Sequence, residues 1–145
     1  MKLTSHIAIS FSISAVLYLI FDSVILSLSS FGAGIFVDVD HVIEYIREIG
    51  FKIDIEKFFH TCENYAFKKN FLILHSWEIF IVFSLVVFFM HPDEIIFGIY
   101  IGYSFHLVSD QLGNLSRPLS YSFIYRWKND FLTEKIWRVG SHGCR

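Results

Sequence analysis

Residues 71–90 read FLILHSWEIFIVFSLVVFFM: an apolar, aromatic-rich run broken only near its start by His75, Ser76 and Glu78. A helix needs about 20 residues to cross the hydrocarbon core of a bilayer, with about 17 as the practical minimum, and this run meets that length. Three more apolar segments lie outward from it, at residues 5–21, 24–41 and 95–112. The first two reach spanning length only if their helices include Ser5 and His6 at one end and Asp38 to His41 at the other. The tight connection at Asp22 and Ser23 makes them an antiparallel hairpin. The expected fold is all-α: one membrane domain over residues 1–145, a multi-pass bundle of about four transmembrane helices. A cytoplasmic loop (42–70) and tail (113–145) complete it.

Composition points the same way. The 145 residues are 54% hydrophobic, 19% aromatic and only 18% charged, whereas soluble domains carry about 25% charged residues; the mean hydropathy is +0.50. A buried soluble helical core is the competing reading, and the long third run counts against it. A cleavable leader is another: Lys2 precedes a short apolar run, with small residues at Ser27 to Ser30, but a second apolar run follows at once. The net charge of −2 gives no broad basic surface, so nucleic acid is not an expected partner. Cys62 and Cys144 form no Cys-x-x-Cys pair and indicate neither a disulfide framework nor a thiolate zinc site.

Orientation follows from the 12 basic residues, because short cytoplasmic loops are enriched in Lys and Arg. Lys2 precedes the first span; Arg47, Lys52, Lys57, Lys68 and Lys69 lie between the second and third; Arg117, Arg126, Lys128, Lys135, Arg138 and Arg145 follow the fourth. The opposite turns hold only Asp22 and the stretch His91 to Glu94. Both termini are therefore expected on the cytoplasmic side of the inner (plasma) membrane. Phe58, Phe59, Tyr65 and Phe67 in the loop suggest an interfacial amphipathic helix. The alternation of Tyr121, Phe123, Tyr125 and Trp127 fits a strand or an interfacial aromatic belt.

Ionisable residues inside membrane segments are costly, about 2.5–3.5 kcal/mol for Asp at a helix centre, and so mark function by default. Here eight share a depth. His6 begins span one; Asp38, Asp40 and His41 end span two; His75 and Glu78 begin span three; His106 and Asp110 end span four. Since the spans alternate direction, all eight fall at the cytoplasmic side. His106 and Asp110 are four apart and His75 and Glu78 three apart, so each pair shares a helical face. Ser27, Ser30, Gly34, Asp38 and His41 also recur at three to four residues, and Gly98-x-x-x-Gly102 leads to His106; such small residues permit close helix approach. Asp40 does not fit the face of Asp38 and His41, which places a departure from helical geometry there. Mixed imidazole and carboxylate donors suit zinc, with manganese or iron as alternatives, over calcium or magnesium. They would fill one site or two adjacent ones. His60 is a loop histidine, a mobile ligand or simply solvated. His91 and His142 stand apart from the cluster. Taken singly, each residue has an ordinary explanation: a helix end meeting water, or a structural hydrogen bond.

Several of these motifs resemble the LexA-regulated, inner-membrane-associated metal-dependent hydrolase family. They are Ser5-His6, the run Asp38-Val39-Asp40-His41, the pair His75-Ser76, and the stretch from Gly102 and Tyr103 through His106 to Asp110, and the similarity covers most of residues 5–115. Two features depart from the family: Val37 stands where it carries proline, and Asn70, Phe71 and Leu72 stand where it carries His-Arg-Gly. The resemblance implies hydrolase chemistry, with one or two metal ions.

The expected function is therefore hydrolysis of a membrane-associated ester or phosphoester, such as a phospholipid, by a metal-activated water. His6, Asp38, His41, His75, His106 and Asp110 are the expected ligands, and Asp40 or Glu78 the general base or an extra ligand. Arg117 and Arg126 are candidates for holding an anionic substrate, although topology alone accounts for them. The rival readings are a metal or ion transporter and a structural membrane subunit with a satisfied polar cluster.

Overall fold

The computed structural model describes residues 3–52, 54–90, 92–114 and 117–138. Lys2, His91, His142, Cys144 and Arg145 lie outside the described residues. The chain is all-helical: α1 (Leu3–Phe21), α2 (Val24–Phe36), α3 (Val39–Ile49), α4 (Ile55–Glu63), α5 (Trp77–Met90), α6 (Glu94–Gly113), α7 (Phe123–Lys128) and α8 (Thr133–Ile136). Among the described residues the one β-type pairing is an isolated antiparallel bridge between Lys69 and Leu132. Of the alternating aromatics, Tyr121 lies in a turn and Phe123, Tyr125 and Trp127 lie not on a strand but on α7, which Ser122 caps by accepting from the Tyr125 N–H.

Two apolar stretches are long enough to cross a membrane, Thr4–Phe21 and Val24–Ile49. Asp22, at φ 50°, turns the chain between them. Ser23 then starts α2, its hydroxyl accepting from the Leu26 N–H, which satisfies one of the unpaired donors of a helix start. α2 packs on α1 and, most extensively, on α6. Small residues permit this. A Cβ at Gly102 would overlap the Ser30 carbonyl oxygen, one at Gly98 the Leu26 carbonyl, and one at Gly34 the Ser10 hydroxyl. The backbones of α2 and α6 thus meet at glycine positions, as in small-residue packing between membrane helices.

Two departures from regular helix shape the site. At Val37 and Asp38 the bonds Asp38 N–H to Ile35 O (3.1 Å) and His41 N–H to Asp38 O (3.0 Å) span three residues rather than four. This tighter winding ends α2 and re-aims α3. The second departure shortens the third apolar run. Residues 71–76 are not helical, and α5 has 14 residues, about 21 Å at 1.5 Å per residue. The cause is carboxylates that take the backbone donors a helix would use: Glu44 accepts from the Phe71 N–H at 3.2 Å, and Asp40 from the N–H groups of Leu74 and His75.

The largest apolar cluster lies at this same end, where Val37, Leu72, Tyr103, Leu107, Tyr121, Ile136 and Trp137 pack together. Elsewhere the usual distribution is inverted. Leu19 on α1 and Phe88 on α5 are 81% and 76% exposed, while His6, His75, His106 and Asp110 are at most 5% exposed. Apolar side chains facing outward around a polar interior suit a lipid surrounding better than water.

Candidate metal centre

His6 comes from the first turns of α1, Asp38 from the turn before α3, His41 from α3, His75 from the irregular segment before α5, and His106 and Asp110 from adjacent turns of α6. The fold brings all six together. His6 Nε2 lies 3.0 Å from Asp110 Oδ1, and the His6 ring stacks on His106 with centroids 4.5 Å apart. His41 Nε2 lies 3.8 Å from Asp38 Oδ1. Two triads can each offer ligand atoms within 4.8 Å of one another: His6, His106 and Asp110, all buried, and Asp38, His41 and His75, with only His75 buried.

Between the triads, four atoms converge. His75 Nε2 and His106 Nε2 are 3.1 Å apart. Asp110 Oδ2 lies 3.4 Å from the first and 3.6 Å from the second, and Asp38 Oδ1 lies 3.6 Å from both. Ligand atoms about 2.0–2.2 Å from a tetrahedral zinc ion stand about 3.3–3.6 Å from each other. The four imidazole-to-carboxylate separations fall in that range, and the 3.1 Å between the two Nε2 atoms is slightly shorter.

The outward nitrogens sharpen this. His106 Nδ1 is 2.7 Å from the Gly34 carbonyl oxygen, which only accepts, so Nδ1 carries the proton and Nε2 presents a lone pair. His75 Nδ1 faces Asp40 Oδ2 at 3.4 Å, which assigns the same tautomer. With both imidazoles neutral, the four converging atoms are all acceptors. Buried lone pairs in that arrangement repel unless a cation lies between them. The donor set therefore fits a divalent ion, and the carbonyl and carboxylate behind the imidazoles are the usual outer partners of metal-bound histidine.

Asp40 and Glu78 are placed differently from the six. Asp40 sits behind His75, holding its ring and accepting from the backbone of Leu74 and His75. Glu78 turns toward the tail, where it accepts from Ser122 Oγ (2.6 Å), Phe123 N–H (2.7 Å) and Ile124 N–H (3.2 Å). It anchors the start of α7 and does not join the cluster. His60, on α4, accepts at its carbonyl oxygen from Asn64 Nδ2 at 2.8 Å and belongs to neither triad.

The tail holds the site from behind. Arg126, fully buried, donates from one guanidinium nitrogen to the His75 carbonyl oxygen at 3.1 Å. Burial lowers its pKa to about 10, with Glu78, Asp40 and other acids opposing the shift; it stays cationic at neutral pH. Asn114 Nδ2 donates to Asp110 Oδ1 at 2.8 Å and to the Tyr121 hydroxyl at 2.6 Å, leaving Asp110 Oδ2 turned to the histidines. Burial, reinforced by the Asp110 charge, raises the Tyr121 phenol well above its ordinary pKa. Sequence spacing did not single out Arg126, Asn114 or Tyr121 as supports, because their link to the ligands runs through tertiary contacts.

A cavity of about 460 Å³ opens from the cluster; His6, Asp38, His41, His75 and Asp110 form one part of its wall, and α4 and the tail supply much of the remainder. Cys62 is on that wall, but burial pushes its thiol up to about 12, which removes it as a nucleophile at neutral pH.

Fold and site together define an all-helical protein with a buried His/Asp cluster able to hold a metal ion, opening on a cavity. Comparison with family models, curated proteins and solved structures finds no match.

Proposed function

We propose that the protein is a multi-pass membrane-bound metal-dependent hydrolase acting on a membrane-associated ester or phosphoester. The observation that carries this reading is the convergence of His75 Nε2, His106 Nε2, Asp38 and Asp110 at the end of a substrate-sized cavity. His75, His106, Asp38 and Asp110 would hold the ion, with His6 and His41 beside them as ligands to it or to a second one. A bound divalent ion, zinc first among the candidates, would supply a lowered water pKa and polarisation of the substrate oxygen.

The chain's own groups do the rest. Asp40 and the Gly34 carbonyl fix the imidazole tautomers, and Arg126 fixes the His75 backbone. Asp38 is more exposed than Asp110, and its second carboxylate oxygen, outside the converging set, would take a proton from water and return it to the leaving oxygen. The four apolar runs, with basic residues concentrated on one side, support an inner-membrane bundle with cytoplasmic termini, although α5 would need a thinned or protein-lined surrounding to span.

The transporter alternative would use the line of buried serines leading away from the site, Ser10, Ser14, Ser27 and Ser30. Ser14 and Ser27 border a pocket with an otherwise apolar lining between α1 and α2, while Ser10 and Ser30 sit where α2 meets its neighbours so closely that Gly34 and Gly102 have no room for a Cβ. Such packing disfavours an ion path.

The test is metal content and lipid-ester hydrolysis of purified protein, wild type against a His106→Ala, Asp110→Ala double variant. Wild type is expected to retain tightly bound metal and hydrolyse, and the variant to lose both. Full metal binding and activity in the variant would sink the proposal.

A further inference from the structure

The tail helix α7 has its polarity reversed. Its inner face buries Arg126 completely, and the guanidinium donates to the His75 carbonyl oxygen at 3.1 Å. Its outer face carries Ile124 and Trp127, 51% and 67% exposed, with the exposed Lys128 beside them. Spacings of three and four residues put these three on one side of the helix. A helix in water turns its arginine outward and its tryptophan inward. A single exposed apolar residue is ordinary, but here two of them stand opposite a buried cation on one six-residue helix.

The bonds of α7 fix its level. Glu78, in the first turn of α5, accepts from Ser122 Oγ and from the N–H groups of Phe123 and Ile124, and the Trp77 N–H donates to the Tyr121 carbonyl oxygen at 2.9 Å. Trp77 Nε1 donates to Gln111 Oε1, near the end of α6, at 3.3 Å. The helix therefore lies where α5 starts its outward apolar run, at Ile79, Ile81 and Val82, and where α6 ends with Leu112, all four exposed. Leu119, in the turn leading into α7, is exposed as well. The apolar exterior of the longer helices thus continues onto α7, and there it meets positive charge. Arg117 and Lys128 are exposed, while the nearby acid Asp130 is paired with Lys135 at 3.8 Å.

We propose that α7 is an interfacial anchor: Ile124 and Trp127 sit in the boundary between the headgroups and acyl chains of the leaflet, and Lys128 reaches the headgroup phosphates. The inference rests on the membrane reading and goes beyond it, because the tail then lies along the bilayer surface rather than in bulk solvent. Tryptophan and lysine are suited to that boundary, one through its amphipathic ring and the other by extending its ammonium out of the apolar layer. A helix this short does not hold itself in place by propensity; Glu78 fastens its start, and Arg126 fastens its inner face to His75. The same residue links the anchor to the site. The leaflet surface then sets the depth of the His/Asp cluster and brings it level with the ester groups of a lipid.

The experiment uses the full chain in vesicles of phosphatidylcholine and phosphatidylglycerol. In a Cys62→Ser, Cys144→Ser background, single nitroxide labels are placed through Trp127→Cys, through Val82→Cys in the middle of α5, and through Glu134→Cys, an exposed position on α8. Each label is tested for collisions with oxygen, which concentrates in lipid, and with a water-soluble nickel chelate. The label replacing Trp127 should behave as the one replacing Val82, with oxygen access severalfold above nickel access, and the one replacing Glu134 should show the reverse. A measurement without labels stands beside it: Trp127→Phe should remove an emission component that lipids brominated near the ester quench more than lipids brominated at the chain end. A label replacing Trp127 as open to nickel as the one replacing Glu134, with Val82 shielded, would overturn the anchor and leave the spans in the bilayer. Nickel access at Val82 too would overturn the membrane reading and the inference with it. Trp127 emission untouched by either brominated lipid would overturn the anchor as well.

Discussion

The two triads of the centre are built in different ways. His6, His106 and Asp110 stand on the uninterrupted helices α1 and α6, with side chains at most 6% exposed. Asp38, His41 and His75 stand where helices fail, at the turn between α2 and α3 and in the segment before α5, and the side chains of Asp38 and His41 are 21% and 27% exposed. The first triad is positioned mainly by backbone packing, since glycine contacts bring α2 and α6 together and Gly34 then meets His106, with Asn114 adding one side-chain bond to Asp110. The second must be held by side chains from outside it, chiefly Asp40 and Arg126. A rigid half and a braced, partly open half suit a centre that retains its ion and still admits a ligand.

Different substitutions should therefore injure the two halves. The largest effect is expected from Gly102→Ala, whose methyl group would overlap the Ser30 backbone and push α2 from α6. Overpacking of this kind costs about 1–3 kcal/mol, and thermal unfolding in detergent should show it together with loss of bound metal. Asp40→Asn removes the brace but leaves the helices packed. Outer partners of metal-bound histidine are worth about 10–100-fold in affinity, so competition with a chelator should show a loss of that order with near-normal unfolding. If Asp40→Asn instead leaves the affinity at the wild-type value, His75 is not held as described. Glu78→Gln should do least: it weakens the charge at the start of α7, where helix caps contribute about 1 kcal/mol, and metal affinity should barely change. A large fall in metal affinity would place Glu78 in the centre after all.

What could be read from the sequence divides along the same line. The triad on α1 and α6 follows from spacing, because His106 and Asp110 share a face on a regular helix and Gly98 and Gly102 announce close contact. The six ligand candidates were visible as polar residues at one depth of an apolar chain. The braced half was less legible. Residues 71–76 carry the hydropathy of a spanning helix, and only the distant carboxylates of Glu44 and Asp40 pull their N–H groups out of helical pairing. Asp40 and Glu78 showed the right chemistry for the centre, but their partners, His75 from behind and the start of α7, depend on tertiary geometry that no local pattern encodes. The aromatic alternation at residues 121–127 suggested strand or belt; the Ser122 cap and Glu78 stabilise a short helix there, which removes the strand.

The most direct test is an anomalous-scattering map from crystals of the full chain grown with zinc, collected at the zinc edge. A single strong peak, or two adjacent ones, within about 2.0–2.2 Å of ligand atoms and including His75 Nε2 and His106 Nε2 is the expected result. A map with no peak at these histidines, from protein that is folded and zinc-saturated, would contradict the assignment of this cluster as a metal centre.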